Sequence, residues 1–206
     1  KTATLTGLNG NNIATSTNAL YKTNGNIWLP SYVMMGDSSE SIYKINKVGA
    51  SFLYNNQNGL EKVKDFAKAI TIPDTITEFE KGAFAIMNGS NVAALNIDCP
   101  LLTKVNYLGT VASWNNIKFN DVSSNPMYLV YQNCFYKNNL QTLQMSWIDS
   151  VGTTLQLPKV SIIKKYTFIN LSYLNKVIVP ANINEFEEDC FKITDDRDCP
   201  ATGGNY

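Results

Sequence analysis

The sequence contains no histidine among its 206 residues. Histidine is the side chain whose ordinary pKa lies closest to neutral pH, and it is the usual base beside a serine or cysteine nucleophile. Its absence excludes those nucleophile pairs and the histidine-containing zinc sites. We therefore predict that the chain is not an enzyme and that it needs no cofactor or metal.

Charged residues are also scarce, and they carry no net sign. Only 17% of the residues are charged, and 17 Lys and Arg balance 17 Asp and Glu. Balanced charge creates no field that would steer the chain toward nucleic acid or an anionic membrane. No apolar run approaches the roughly 20 residues that a membrane helix requires. We expect no nucleic-acid partner and no membrane span in this segment.

The four cysteines lack the C-x-x-C spacing of a zinc ribbon or a redox motif. We interpret Cys134 and Cys190, each of which precedes a phenylalanine, as small buried hydrophobes. Cys190 and Cys199 could form a disulfide in an oxidising compartment. The sequence begins at Lys1 without a signal-peptide core, and we expect that a leader has been removed.

What the sequence does contain is an internal repeat. Residues 72–84 and 179–191 share, without a gap, aliphatic-Pro, Ile, Glu-Phe-Glu and small-Phe, and residues 157–168 form a copy that is one residue shorter. Phe168 and Phe191 are 23 residues apart, within the window of about 20–29 residues of leucine-rich repeats. We attribute the inward turn at each such phenylalanine to the small residue before it.

Each repeat also has a short segment in which apolar and polar residues alternate, as in a half-buried strand. The middle residue of such a strand points away from the core, and stacking aligns these residues on one face. We predict that a ligand-binding ladder consists of Trp28, Thr71, Asn96, Lys118, Gln144, Gln156 and Ile178. Trp28 is its main candidate because an exposed tryptophan is a frequent contact anchor. The alternative is that the N-terminal cap buries Trp28.

Two segments, residues 70–84 and 174–191, resemble the BspA-like leucine-rich repeat, whose unit reads L-x-x-V-x-I-P-x-x-V-x-x-I-x-x-x-A-F. Ala83 and Phe84 match its end, and Cys190 stands in place of the alanine. The resemblance implies a leucine-rich-repeat solenoid of the α/β class, but rich in strands. Its short parallel strands would stack in a right-handed superhelix of irregular coils of about 23 residues.

The resemblance divides the chain into three parts. We expect an N-terminal cap or extended entry segment with one degenerate repeat over residues 1–40, BspA-like repeats over residues 41–193 and a C-terminal tail over residues 194–206. Because the family typically occurs on microbial cell surfaces with adhesive roles, the resemblance also implies a bacterial cell-surface or secreted module. Its partner would be an extracellular or host protein, and we expect the chain itself to be a monomer.

Two other functions stay open on the sequence alone. The tryptophans and tyrosines suit a carbohydrate-binding accessory domain, and a repeat array can also serve as a structural spacer in a larger surface protein. Carboxylate pairs at Glu78 with Glu80 and at Glu185 with Glu187 occupy equivalent repeat positions. Repetition argues that these pairs are exposed decoration and not one acid/base site.

Overall fold

A computed structural model describes residues 1–6, 25–35, 41–50, 52, 68–84, 86–88, 91–94, 104–128, 154–171 and 174–193. Within these residues the strands are β1 (Thr2–Leu5), β2 (Asn26–Trp28), β3 (Tyr32–Met35), β4 (Ser41–Val48), β5 (Ala69–Ile72), β6 (Glu78–Phe79), β7 (Ile86–Asn88), β8 (Asn91–Ala94), β9 (Lys104–Tyr107), β10 (Lys118–Phe119), β11 (Thr154–Gln156), β12 (Ile162–Ile163), β13 (Lys176–Ile178) and β14 (Glu185–Phe186). Within the same residues, the α-helix α1 (Val111–Asn115) begins at a Thr110–Ser113 capping box, and a 3-10 helix spans Val122–Ser124.

Each coil contributes one strand to a front sheet and one to a back sheet. In the first part of the chain, β2, β5 and β9 form a parallel front sheet, and β1, β4, β6 and β10 form a parallel back sheet. β3 adds to β4 in antiparallel fashion, and β7 pairs with β8 as an antiparallel hairpin. In the last part, β11 pairs with β13 and β12 with β14, again in parallel.

The core lies between the two sheets. Inward side chains of the front strands, such as Ile70 and Val105, and of the back strands, such as Phe79, are 0% exposed. Phe79 stacks on Phe119 of the next coil with 5.5 Å between ring centroids. A single coil could not bury these side chains alone, and stacking joins them into one continuous core.

The turn after each back-sheet strand has the same backbone conformation in three coils. Its third residue has a positive φ of 67°, 59° and 58° at Gly82, Tyr166 and Asp189. The next residue is small and buried in every coil: Ala83, Thr167 and Cys190. The chain therefore turns one residue earlier than the sequence predicts, and the small residue is small because it is buried, not because it makes the turn.

These turns bond each coil to the next. The Phe52 amide donates to the Ala83 carbonyl, and the Phe168 amide donates to the Cys190 carbonyl, each at 2.8 Å. Glu80 accepts a hydrogen bond from the Ala50 amide of the preceding coil at 3.2 Å. The repeated carboxylate at Glu80 therefore accepts a hydrogen bond from the preceding coil. Its interpretation as exposed decoration alone was wrong.

Side-chain bonds replace strand pairing where the coil of α1 meets β12. The Asn115 Nδ2 donates to the Ile162 carbonyl at 2.9 Å, and its Oδ1 accepts from the Lys164 amide at 3.1 Å. Asn115 is 1% exposed, so its amide plays the part that a neighbouring peptide group plays in a parallel ladder. The Trp114 indole donates to the Thr167 carbonyl at 2.8 Å beside it.

Candidate functional site

The outward side of the sheet formed by β2, β5 and β9 is the best-defined candidate site. The register aligns Trp28, Thr71 and Asn106 across the three strands. We call this surface the front face; it consists of Asn26, Trp28, Thr71, Lys104, Asn106 and Leu108. Period-2 alternation explains it, because the residues between these positions point into the core.

Hydrogen bonds hold the centre of the front face in one arrangement. The Thr71 hydroxyl donates to the Asn26 Oδ1 at 3.0 Å and accepts from the Asn106 Nδ2 at 3.2 Å. Thr71 is only 2% exposed, so its hydroxyl serves the sheet and does not lie open to a ligand. The polar row is therefore fixed before any partner arrives.

Two exposed apolar side chains lie beside this row, one at each outer strand of the sheet. Trp28 on β2 and Leu108 after β9 are each 58% exposed. β2 and β9 lie two strand spacings apart, about 10 Å. A large exposed aromatic on a rigid sheet is a frequent anchor for a partner, because little side-chain entropy is lost on binding. The front face thus combines a preformed polar centre with an apolar margin.

The structure separates Lys118 from this ladder, and the prediction that it continues the row of Trp28 and Thr71 was wrong. Lys118 lies on β10 of the back sheet and pairs in register with Glu78. Both strands of a coil alternate between apolar and polar residues, so alternation alone does not separate a front strand from a back strand.

The front strand of the same coil is β9, and its middle residue Asn106 takes the place that was assigned to Lys118. The signal was present in Val105-Asn106-Tyr107, which alternates as the other front strands do.

The remaining predicted residues have different outcomes. Gln156 and Ile178 are exposed and lie opposite each other on β11 and β13, as a second ladder. Asn96 and Gln144 lie outside the described residues, and so does Cys199. Cys190 is a free, buried thiol, and burial raises its pKa. The interpretation of Cys190 as a small buried hydrophobe agrees with this burial. A role in binding for the predicted ladder residues stays a prediction.

The back sheet carries a ladder of charged side chains, Lys47, Glu78 and Lys118, across three neighbouring strands. Glu78 lies between two lysines, with Lys47 Nζ at 3.2 Å from its Oε2 and Lys118 Nζ at 3.3 Å from its Oε1. The Asn120 amide also donates to the Glu78 Oε1 at 3.0 Å. The bond from Asn120 and the two lysines hold the pKa of Glu78 below its ordinary value of 4.5. This ladder fixes the strand register and offers no free acid for catalysis.

No group of three or more potential metal ligands occurs within the described residues. None of the helices in the same residues is long and apolar enough to cross a membrane. Trp114 and Tyr128, which lie outside the repeat consensus, are both buried and fill the core.

The stacked coils with their two parallel sheets define a leucine-rich-repeat solenoid. The family model described as "BspA type Leucine rich repeat region" matches the chain in 6 copies, over residues 56–154 and 112–196. Together these ranges cover more than half of the 206 residues. The chain belongs to the BspA-type leucine-rich-repeat family. Repeat proteins of this kind are generally non-enzymatic interaction modules that present an extended surface to a partner.

Two solved structures are similar to the chain. One is a leucine rich cell surface protein from Faecalibacterium prausnitzii A2-165, with 19% identity, a TM-score of 0.42 and coverage of 82% of this chain. This chain spans 39% of that protein's length. The other is a leucine-rich repeat protein from Bacteroides capillosus ATCC 29799, with 16% identity, a TM-score of 0.37 and coverage of 94% of this chain and 88% of that one. No curated protein matches the chain.

Proposed function

We propose that the chain is a non-enzymatic, cell-surface or secreted binding module that engages an extracellular protein through the front face. The observation that carries this proposal is Trp28, 58% exposed beside the hydrogen-bonded row through Thr71. Tryptophan is enriched among residues that dominate binding energy, and a rigid surround lowers the entropy cost of association. Membership of the BspA-type family supports a cell-surface or secreted location, since proteins with such repeats typically occur on microbial cell surfaces.

The neutral and mixed character of the front face supports a protein as the partner. Lys104 is its one charged member, and Asn26 and Asn106 contribute uncharged amide groups. Protein interfaces are depleted in charge at their centre and enriched in aromatic side chains. We expect Trp28 and Leu108 to supply most of the binding energy and the asparagines to supply orientation.

Binding to a panel of immobilised extracellular-matrix proteins, measured by surface plasmon resonance, tests the proposal. We expect Trp28→Ala to weaken any binding at least about tenfold, and Leu108→Ala to weaken it less. Tyr32→Ala is a matched control, because Tyr32 is also 58% exposed but lies on β3, outside the front face. Absence of binding to every member, or equal affinity of Trp28→Ala and the unmodified chain, would contradict the proposal.

Carbohydrate binding is the second candidate, favoured by the same exposed indole ring. An aromatic platform beside an amide such as Asn26, two residues away on the same strand, also suits a sugar. A glycan array run with the same variants separates the two functions. Signals that require Trp28 on glycans, with none on the protein panel, would replace the first proposal with the second.

A further inference from the structure

The last described coil, residues 174–193, leaves its core side chains open to solvent. Val179 is 52% exposed and Phe186 is 47% exposed. The equivalent residues of an internal coil, Ile72 and Phe79, are each 0% exposed. We name the uncovered side of this coil the end face; it consists of Val177, Val179, Ile183 and Phe186.

The end face is made of the same kinds of element as the contacts between coils. Where β5 and β6 meet β9 and β10, and where β11 and β12 meet β13 and β14, one coil contacts the next through a parallel pair of front strands, a parallel pair of back strands and the apolar residues between them. The end face offers the same three elements, since β13 and β14 each pair with one strand only among the described residues. Edge strands with an apolar surface between them readily accept another such surface.

The charges at the two margins of the end face have opposite sign. Lys176, on β13, is exposed at the front margin, and Glu185 and Glu188 are exposed at the back margin. A twofold rotation about an axis that runs between these margins sets each lysine margin against a glutamate margin. The β13 edge of one copy then lies beside the β14 edge of the other, whereas successive coils pair front strand with front strand. The end face is therefore complementary to itself in both polarity and charge, which is what a twofold interface requires.

We propose that the end face is a homodimer interface, in which a second copy of this chain docks its own end face. This replaces the monomer that the sequence alone predicts, and it does not depend on the front face. The apolar residues of the two copies cover one another, and Lys176 of each copy faces the glutamate margin of the other. The dimer carries two front faces, so it binds a multivalent surface more tightly than one copy does.

Sedimentation equilibrium of the full 206-residue chain, from nanomolar to hundreds of micromolar concentration, tests the proposal. We expect a reversible dimer with a Kd on the order of micromolar. Val179→Lys places a charge in the apolar centre and weakens the dimer about a hundredfold. Met34→Lys is the control, because Met34 is 67% exposed on β3, away from the end face. We expect Met34→Lys to leave the Kd of the dimer unchanged.

A charge exchange keeps the test independent of folding. Lys176→Glu sets like charges against each other and weakens the dimer about tenfold, while Lys176→Glu combined with Glu185→Lys restores it. Hydrogen exchange of β13 and β14 should slow as the protein concentration rises. A monomeric mass at all concentrations, with exchange of β13 and β14 independent of concentration, would overturn the proposal. So would a dimer that survives both Val179→Lys and Lys176→Glu.

Discussion

Residues 72–84 and 179–191 are two copies of one motif in two different surroundings. In the first copy Ile72, Ile76 and Phe79 are at most 1% exposed. In the second copy the equivalent Val179 and Phe186 are about half exposed, at 52% and 47%. Both copies keep the same local structure, with a proline after the front strand, a two-residue back strand and a left-handed turn at Gly82 or Asp189.

The difference shows which contacts a repeat makes for itself and which it receives. Local conformation follows from the motif, since proline, alternation and the turn recur whatever surrounds them. Burial comes from the neighbours on both sides, and the second copy has a neighbour on one side only within the described chain. Val179 and Phe186 are about half exposed where Ile72 and Phe79 are fully buried, so the coil that follows the internal copy supplies about half of the burial of these two positions. Each prediction below separates these two contributions.

The largest effect is expected when the same phenylalanine is truncated in both copies. Phe79→Ala should lower the free energy of unfolding by about 3–5 kcal/mol, because Phe79 is fully buried and packs on Phe84 and Phe119. Phe186→Ala should lower it by about 1 kcal/mol, since a half-exposed ring loses little burial. Urea unfolding followed by circular dichroism measures both. Equal losses would show that the two environments do not differ in solution.

The sequence predicts the repeat and its inward residues well, because a short period makes the same positions recur. Ile70, Phe79 and Leu155 are all buried, as their alternation indicates. Alternation does not say which of two sheets a strand joins, so it predicts Lys118 in the front ladder, whereas the front sheet has Asn106 at that position. That choice depends on how many residues separate the two strands of a coil, and this number varies along an irregular array.

The join through Asn115 was beyond reach of the sequence for a different reason. An asparagine in a short helix looks like a surface residue, and only the stacked coil shows that its amide bonds Ile162 and Lys164. The same holds for the carboxylates, where repetition suggested decoration and the fold shows a bond to the preceding turn. Long-range partners of polar side chains are set by the stack and not by the local pattern.

The second prediction concerns the contact between the region that holds the first copy and the coils beyond it. Asn115→Ala leaves the Ile162 carbonyl and the Lys164 amide without this partner, and should cost about 2–3 kcal/mol of unfolding free energy. The neighbouring Asn116 is exposed, so Asn116→Ala is the matched control and should cost much less. If both variants unfold at the same urea concentration, the side-chain bridge does not couple the two regions.

The third prediction tests the contacts that both copies make with the coil before them. Glu80 accepts from the Ala50 amide at 3.2 Å, and Glu187 accepts from the Lys165 amide at 2.9 Å. Because both bonds point backward along the stack, Glu80→Ala and Glu187→Ala should each cost about 1 kcal/mol. Glu188→Ala, in the exposed part of the same turn, is the control. A cost confined to Glu80 would mean that the last coil is not held to its predecessor as the internal coil is.

The smallest effect is a pH dependence that separates Glu78 from its equivalent, Glu185. Because its pKa is lowered in the folded state, Glu78 contributes stability that is present above its ordinary value of 4.5 and is lost as the pH falls toward the lowered value. Its partners Lys47 and Lys118 are partly exposed, so the contribution should stay below about 1 kcal/mol.

The free-energy difference between the unmodified chain and Glu78→Gln should therefore shrink as the pH falls from about 6 to about 3. Glu185→Gln is the matched control, since Glu185 is exposed and has no ion pair within the described part of the chain. A pH-independent difference for Glu78→Gln would mean that the charge ladder of the back sheet does not stabilise the internal copy over the terminal one.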